Sequence, residues 1–275
     1  MSSPQRADAA TRVLQAPTIT SLPDAATGSV MVSGSHGGLY PGYCSAKAGL
    51  RAVILNDAGV GKDDAGIGSL AWLEPYGIGA ATVSNLTCRI GDPRDMLSRG
   101  LVSHANAIAQ AAGVCIGMAC ALAADLLRQV VHRITIPAAL GEARGEIVTG
   151  HAGRRILLLD SAALVTPADA GHIVVTGSHG GLVGGVPAMA LRTDGFAAVF
   201  NDAGIGIDDA GVTRLPALDQ RGIAAVTVAA GSARIGEAAS TYHDGIISCV
   251  NVSAAQIGTR VGEPLAPLLQ RWARS

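Results

Sequence analysis

The chain has 275 residues, of which 49% are hydrophobic, 15% charged and only 3% aromatic, and its 20 basic and 21 acidic side chains leave a formal charge of −1. That length buries a sizeable core, here built mainly from Ala, Val, Ile and Leu. The balanced charge, with no basic stretch interleaved with aromatics, excludes a protein that tracks a nucleic-acid backbone.

The first residues, MSSPQRADAATR, lack the apolar core of a signal peptide. The five cysteines, Cys44, Cys88, Cys115, Cys120 and Cys249, are odd in number and show no CxxC spacing. Both features predict a cytoplasmic protein. The first apolar run, VMVSGSHGGL (Val30 to Leu39), returns as IVVTGSHGGL (Ile173 to Leu182). ILNDAGVGKDDAG (Ile54 to Gly66) returns as VFNDAGIGIDDAG (Val199 to Gly211), after a two-residue insertion. Tyr76 to Asp92 matches Arg221 to Glu237 through the shared RIG(D/E), and Gly100 to Gly113 matches Gly245 to Gly258. Four collinear matches mean an internal duplication, to be recognised before any fold is assigned. The first repeat with its N-terminal extension covers residues 1–127, a connector 128–154, and the second repeat 155–275.

Within a copy, strands are predicted at Val30 to Val32, Ala52 to Leu55 and Ala80 to Val83, each followed by a turn and a helical pattern. The expected fold is therefore α/β: two tandem βαβαβα repeats with mainly parallel sheets, related by a pseudo-twofold axis. Asp63 and Asp64, like Asp208 and Asp209, are read as caps of the helix after the second strand. Gly113 and Gly258 mark helix ends. The uncharged run Gly100 to Ala124 contains His104, Asn106 and Gln110, and its counterpart carries Arg260 and Glu263. It is read as a buried helix and not as a membrane span.

Ligands of open α/β sheets bind at the carboxyl ends of the strands. Three segments per copy end there. In GSHGG, the backbone at Gly34, Gly37 and Gly38 can approach a ligand, Ser35 offers a hydroxyl, and His36 can exchange a proton near neutral pH. Gly177, Ser178, His179, Gly180 and Gly181 repeat the set. Asp57 and Asp202, directly after a buried strand, are candidate partners for the histidines, with Asn56 and Asn201 beside them. The alternative is a tight turn whose polar groups bond locally. Arg89 and Arg234 suit a bidentate grip on a carboxylate or phosphate, against ion pairing with Asp92 or Glu237. Asn106 and Asn251, in apolar surroundings, are read as links between the copies.

Two features occur once. Lys62, where the second copy has Ile207, is a candidate anion ligand or amine base, against an exposed pair with Asp63. Cys88, opposite Ala233, is a candidate thiolate beside Arg89, against a small buried thiol. The Asn–Asp–Asp cluster also hints at Mg²⁺ or Ca²⁺, but no glutamate falls where an EF-hand loop needs one. No cofactor motif is evident, and GxSxG, Walker A, HExxH and GxGxxG are missing.

These residues predict a small-molecule enzyme using acid–base chemistry on an anionic metabolite. Hydrolysis is preferred over a lyase or isomerase reaction. The competing reading is a metabolite-binding or regulatory module with two matching half-sites. The low charge and Ala-rich helices predict a homo-oligomer, with no nucleic-acid or membrane partner.

Overall fold

The computed structural model describes residues 11–22, 26–148 and 153–274. The polar N-terminus read above as lacking a signal peptide falls mostly at residues 1–10, outside the described residues. The first copy forms a five-stranded sheet ordered β1 (Val13–Ala16), β2 (Val30–His36), β3 (Ala52–Asn56), β4 (Gly79–Val83) and β5 (Val102–Ala105). The second forms a six-stranded sheet: β6 (Arg144–Ile147), β7 (Ile156–Leu159), β8 (Ile173–His179), β9 (Ala197–Asn201), β10 (Ala224–Val228) and β11 (Ile247–Val250), again in sequence order. All pairings are parallel except β4 with β5, β6 with β7 and β10 with β11. The protein is thus an α/β fold with two mostly parallel sheets.

The strands are apolar on both faces because both faces are covered. On one face of the first sheet, Val30, Val32, Ile54, Ala81 and Val83 meet α3 (Pro93–Arg99), α4 (Ala107–Ala111) and α5 (Cys120–Leu127). On the other, Met31, Val53, Leu55 and Ala80 meet α1 (Leu39–Lys47) and α2 (Ser69–Leu73). The second sheet is covered by α7 (Ala238–Asp244), α8 (Val252–Gln256) and α9 (Leu265–Arg274) on one side and by α6 (Arg214–Asp219) on the other. In α9 the buried positions Leu265, Leu268, Leu269, Trp272 and Ala273 form one helical stripe.

Three expectations are corrected. The run from Gly100 to Ala124 is not one helix: it is β5, α4 and the start of α5, broken at Gly113 and Gly117, both at positive φ. The Asp pairs cap no helix. Asp63, Asp64, Asp208 and Asp209 sit at φ between 52° and 57° in 3₁₀ turns, and α2 begins only after Gly68. Asn106 and Asn251 do not link the copies, since each caps its own helix and bonds the backbone of its own sheet. The connector adds a strand, β6, to the second sheet.

The copies differ most after the GSHGG segment. The first continues into α1. The second has two 3₁₀ turns, Val183–Gly185 and Pro187–Met189, because Gly184 and Gly185 take positive φ and Pro187 supplies no amide.

Candidate functional site

His36 and His179 each occupy the last position of a central strand, paired in register with Asn56 and Asn201. The chain then turns at once: Gly37 and Gly180 donate to the carbonyls of Asn56 and Asn201, both at 2.8 Å. These glycines answer a demand for space, since a Cβ on either would lie 2.5 Å from the carbonyl oxygen of Gly66 or Gly211. The Gly38 amide donates to His36 Nδ1 (3.1 Å). An acceptor Nδ1 leaves the proton of the neutral ring on Nε2. His179 Nδ1 is buried with no partner of normal hydrogen-bond geometry, the Gly181 amide acting on it only weakly.

Burial pushes the His36 imidazole down to about 4. It pushes His179 well below the ordinary histidine range too, helped by the Arg214 guanidinium and by His36 itself. Both rings are therefore neutral at neutral pH, and a charge on His36 would disfavour one on His179. They meet because the copies interlock: Gly236, in the second copy's RIG segment, lies against His36 Cε1, and Ile90, in the first copy's, lies against Gly181.

Both histidines line one cavity of about 110 Å³ between the halves. Ser35 and Tyr40 reach it from the first half, Glu142 from the connector, and Asp160, Ser178 and Arg214 from the second. Ser35 Oγ accepts from the Ile19 amide (3.0 Å), and Ser178 Oγ from the Ala162 amide (2.9 Å). Burial raises the Glu142 carboxyl, and the charge of Asp160 adds to this, while the hydroxyls of Ser161 and Tyr40 work against it. Arg214 is 3% exposed and lies over the Phe200 ring. Its Nε and Nη1 donate to the carbonyls of Gly181 (3.0 Å), Met189 (3.2 Å) and Ala190 (2.6 Å). No carboxylate among the described residues lies within ion-pair distance of it. Its cation is pushed down to about 10 by burial and stays charged.

The remaining predicted site residues lie elsewhere. Asp57 does not orient His36: its Oδ1 accepts from the amides of Gly59 (3.1 Å) and Asn85 (2.9 Å), and Asp202 does the same with Gly204 and Ala230, both at 2.8 Å. Asn56 and Asn201 are fully buried and close their own turns onto Ala58 and Ala203. Arg89 and Arg234 are exposed and reciprocal. Arg89 pairs with Asp208 (2.8 Å) and Asp95, Arg234 with Asp63 (2.9 Å) and Glu237 (2.8 Å), so the local partner of Arg89 is not Asp92. Lys62 pairs with Asp244 of the other half (2.9 Å), not with Asp63. Cys88 is a core thiol, fully buried and raised to about 12 by burial, and is no thiolate nucleophile.

These residues hold the halves together. Asn85 Nδ2 donates to the Ala203 carbonyl (3.0 Å), Lys62 N–H to that of Ala230 (2.9 Å) and Ile207 N–H to that of Asn85 (2.9 Å). Ala58, Ile90, Ala203, Ala210 and Ile235 fill the space between. Among the described residues no three His, Cys, Asp or Glu side chains stand together as a metal site, and no helix is long and apolar enough to cross a membrane.

Sequence reasoning missed Tyr40, Glu142, Asp160 and Arg214. Arg214 had a signal: Ser69 occupies its place in the first copy, the two backbone amides donating alike to the carbonyls of Gly180 and Gly37. Glu142, in the one segment without a counterpart, had none. Compared with protein-family models, with curated proteins and with solved structures, the chain matches none.

Proposed function

We propose that the chain is an acid–base enzyme acting on a small anionic metabolite held in the cavity between its halves. The observation that carries this reading is Arg214, a buried cation on the cavity wall whose hydrogen bonds among the described residues all go to carbonyl oxygens. A buried charge without a counter-ion costs several kcal/mol unless something supplies one. An anionic ligand supplies it, accepting from the Nη2 that the carbonyls leave free.

The neutral imidazoles then act as hydrogen-bond donors toward a carbonyl or developing oxyanion, as uncharged histidines do in other acid–base sites. Glu142, with its raised carboxyl, is the group that takes or gives the proton. Hydrolysis is the favoured reaction, with water as the attacking group, because Cys88 lies in the core and both serines already accept amides. At about 110 Å³ the cavity is well below the ~300 Å³ at which pockets for drug-sized ligands begin. A substrate of a few non-hydrogen atoms fits.

A metabolite-binding module is the second reading. It is favoured by the absence of any described carboxylate paired with either imidazole and by the Gly38 amide that fixes His36 as a donor. The reciprocal contacts support a pseudo-twofold relation of the halves. Exposed Ile116, Leu122, Val131, Ile134 and Ile136 support self-association, which light scattering tests. The functional test is a thermal-shift screen of small carboxylates and phosphates against neutral amides of equal size, followed by assay of the hits for turnover. Anions alone should raise the melting temperature, and His36→Gln or His179→Gln should abolish binding or turnover with the melting temperature little changed. Stabilisation by neutral amides alone, or full function in both variants, would sink the reading.

A further inference from the structure

The cavity carries charges of both signs that do not meet. Arg214 has no carboxylate within 4.0 Å, and neither Glu142 nor Asp160 has an arginine or lysine within 4.0 Å among the described residues. Opposite charges lining so small a space would pair if nothing else were meant to sit between them. Here each is held apart by a separate framework. Arg214 is tied to three carbonyls around the 3₁₀ turns that replace α1. Asp160 is tied to the amides of Ala143 (2.7 Å) and Ala238 (2.9 Å). Glu142 lines the cavity near the hydroxyls of Ser161 and Tyr40, with no arginine or lysine among the influences on its carboxyl. Arg192, at the exposed edge of the cavity, spends Nη1 on the Ala163 carbonyl.

We infer that the cavity takes a small zwitterion, a free amino acid of the kind that hydrolysis would release as product, whose carboxylate sits at Arg214 and whose ammonium group sits at Glu142, beside the negative charge of Asp160. The inference rests on the anion-binding reading above and adds the second pole. Both ends of such a ligand are satisfied at once. The Arg214 cation gains the counter-ion that the fold withholds, and the Glu142 carboxylate gains a cation that offsets its burial. Pro41, Val183, Met189 and Leu191 add apolar side chains to the lining, and a cavity of about 110 Å³ suits a short carbon chain. The asymmetry of the two copies makes one orientation productive, because Ser69 and not arginine stands at the position equivalent to Arg214.

The test is isothermal titration at neutral pH with acetate, propionate and butyrate against glycine, β-alanine and 4-aminobutyrate, on the wild-type chain and on Glu142→Gln. At least one amino acid should bind ten times more tightly than the carboxylate of the same chain length, and the chain length that binds best reads the separation of the two poles. Glu142→Gln, at a half-buried position outside the sheets, should erase that preference, bringing each amino acid to the affinity of the carboxylate of equal length. Carboxylates that bind as tightly as their amino analogues would overturn the zwitterion and leave the anion reading standing. A preference that survives Glu142→Gln would also overturn it. If neither series binds, the zwitterion is overturned, and the anion reading falls as well if inorganic phosphate added to the same titration does not bind.

Discussion

At corresponding points, just after the same GSHGG segment, the two halves do different work. In the first, α1 follows directly, and the buried hydroxyl of Ser69 has no hydrogen-bond partner. In the second, the helix is missing and Arg214 stands at the Ser69 position, gathering the carbonyls left by the broken chain and facing the cavity. The shared residues build the fold and join the halves. The departures give the site its charge.

The sharpest way to break that comparison is to mutate both positions. Arg214→Ala strands three carbonyls and should cost about 3–5 kcal/mol of unfolding free energy in urea titration, whereas Ser69→Ala removes an unsatisfied hydroxyl and should be neutral within about 0.5 kcal/mol. Equal costs at the two positions would mean that the halves use them alike.

Acid gives the next largest effect. His36 is held near 4 in the folded chain against an ordinary 6.5, so between these values the unfolded chain binds more protons. Stability from this group is therefore complete above about pH 6.5 and falls as the pH drops toward 4, by about 3 kcal/mol. His179 shifts in the same direction. His36→Gln should flatten the stability profile between pH 4 and 6.5, and an unchanged slope would show that the ring is not buried as described.

The reciprocal loops allow a matched pair of backbone tests. Gly59 and Gly204 stand at φ of +72° and +70°, and a Cβ on either would lie about 3 Å from the other's Cα. Gly59→Ala and Gly204→Ala should each cost about 2 kcal/mol. Val60 and Ile205, β-branched at φ of 62° and 60°, hold the opposite strain, and glycine there should stabilise by about 1 kcal/mol. Thermal unfolding of the four variants should rank the two halves identically. The smallest effect belongs to the exposed ion pairs. Arg89→Ala and Arg234→Ala should each cost no more than about 1 kcal/mol, a difference that vanishes at ~1 M salt.

What the sequence disclosed follows from what duplication preserves. The strands were legible because runs such as AVIL and AAVF are buried on both faces. Weaker signals were lost in uncharged sequence: VSHA, an edge strand that pairs antiparallel with β4, reads like part of the alanine-rich helix that follows. GSHGG was found because both copies kept it. Retention in both copies, however, also marks Asn56, Asp57 and Arg89 with their counterparts, and these serve the turns and the contact between halves. A residue on a reciprocal contact is held twice for structural reasons. Glu142 and Arg214 are present once, so a search for paired residues passes over them.

The backbone hydrogen bonds between the halves also bear on motion. Lys62 to Ala230, Ile207 to Asn85 and Gly184 to Gly91 tie main chain to main chain across the join, and the glycine backbones at Gly59 and Gly204 touch. Opening the protein like a clamshell would break all of these together and expose the apolar residues between them. Separation of the halves should therefore be among the costliest openings of the protein. The segment that carries Glu142 has no helix or strand from residue 132 to residue 143. Hydrogen exchange should be slow at the join and fast along that stretch.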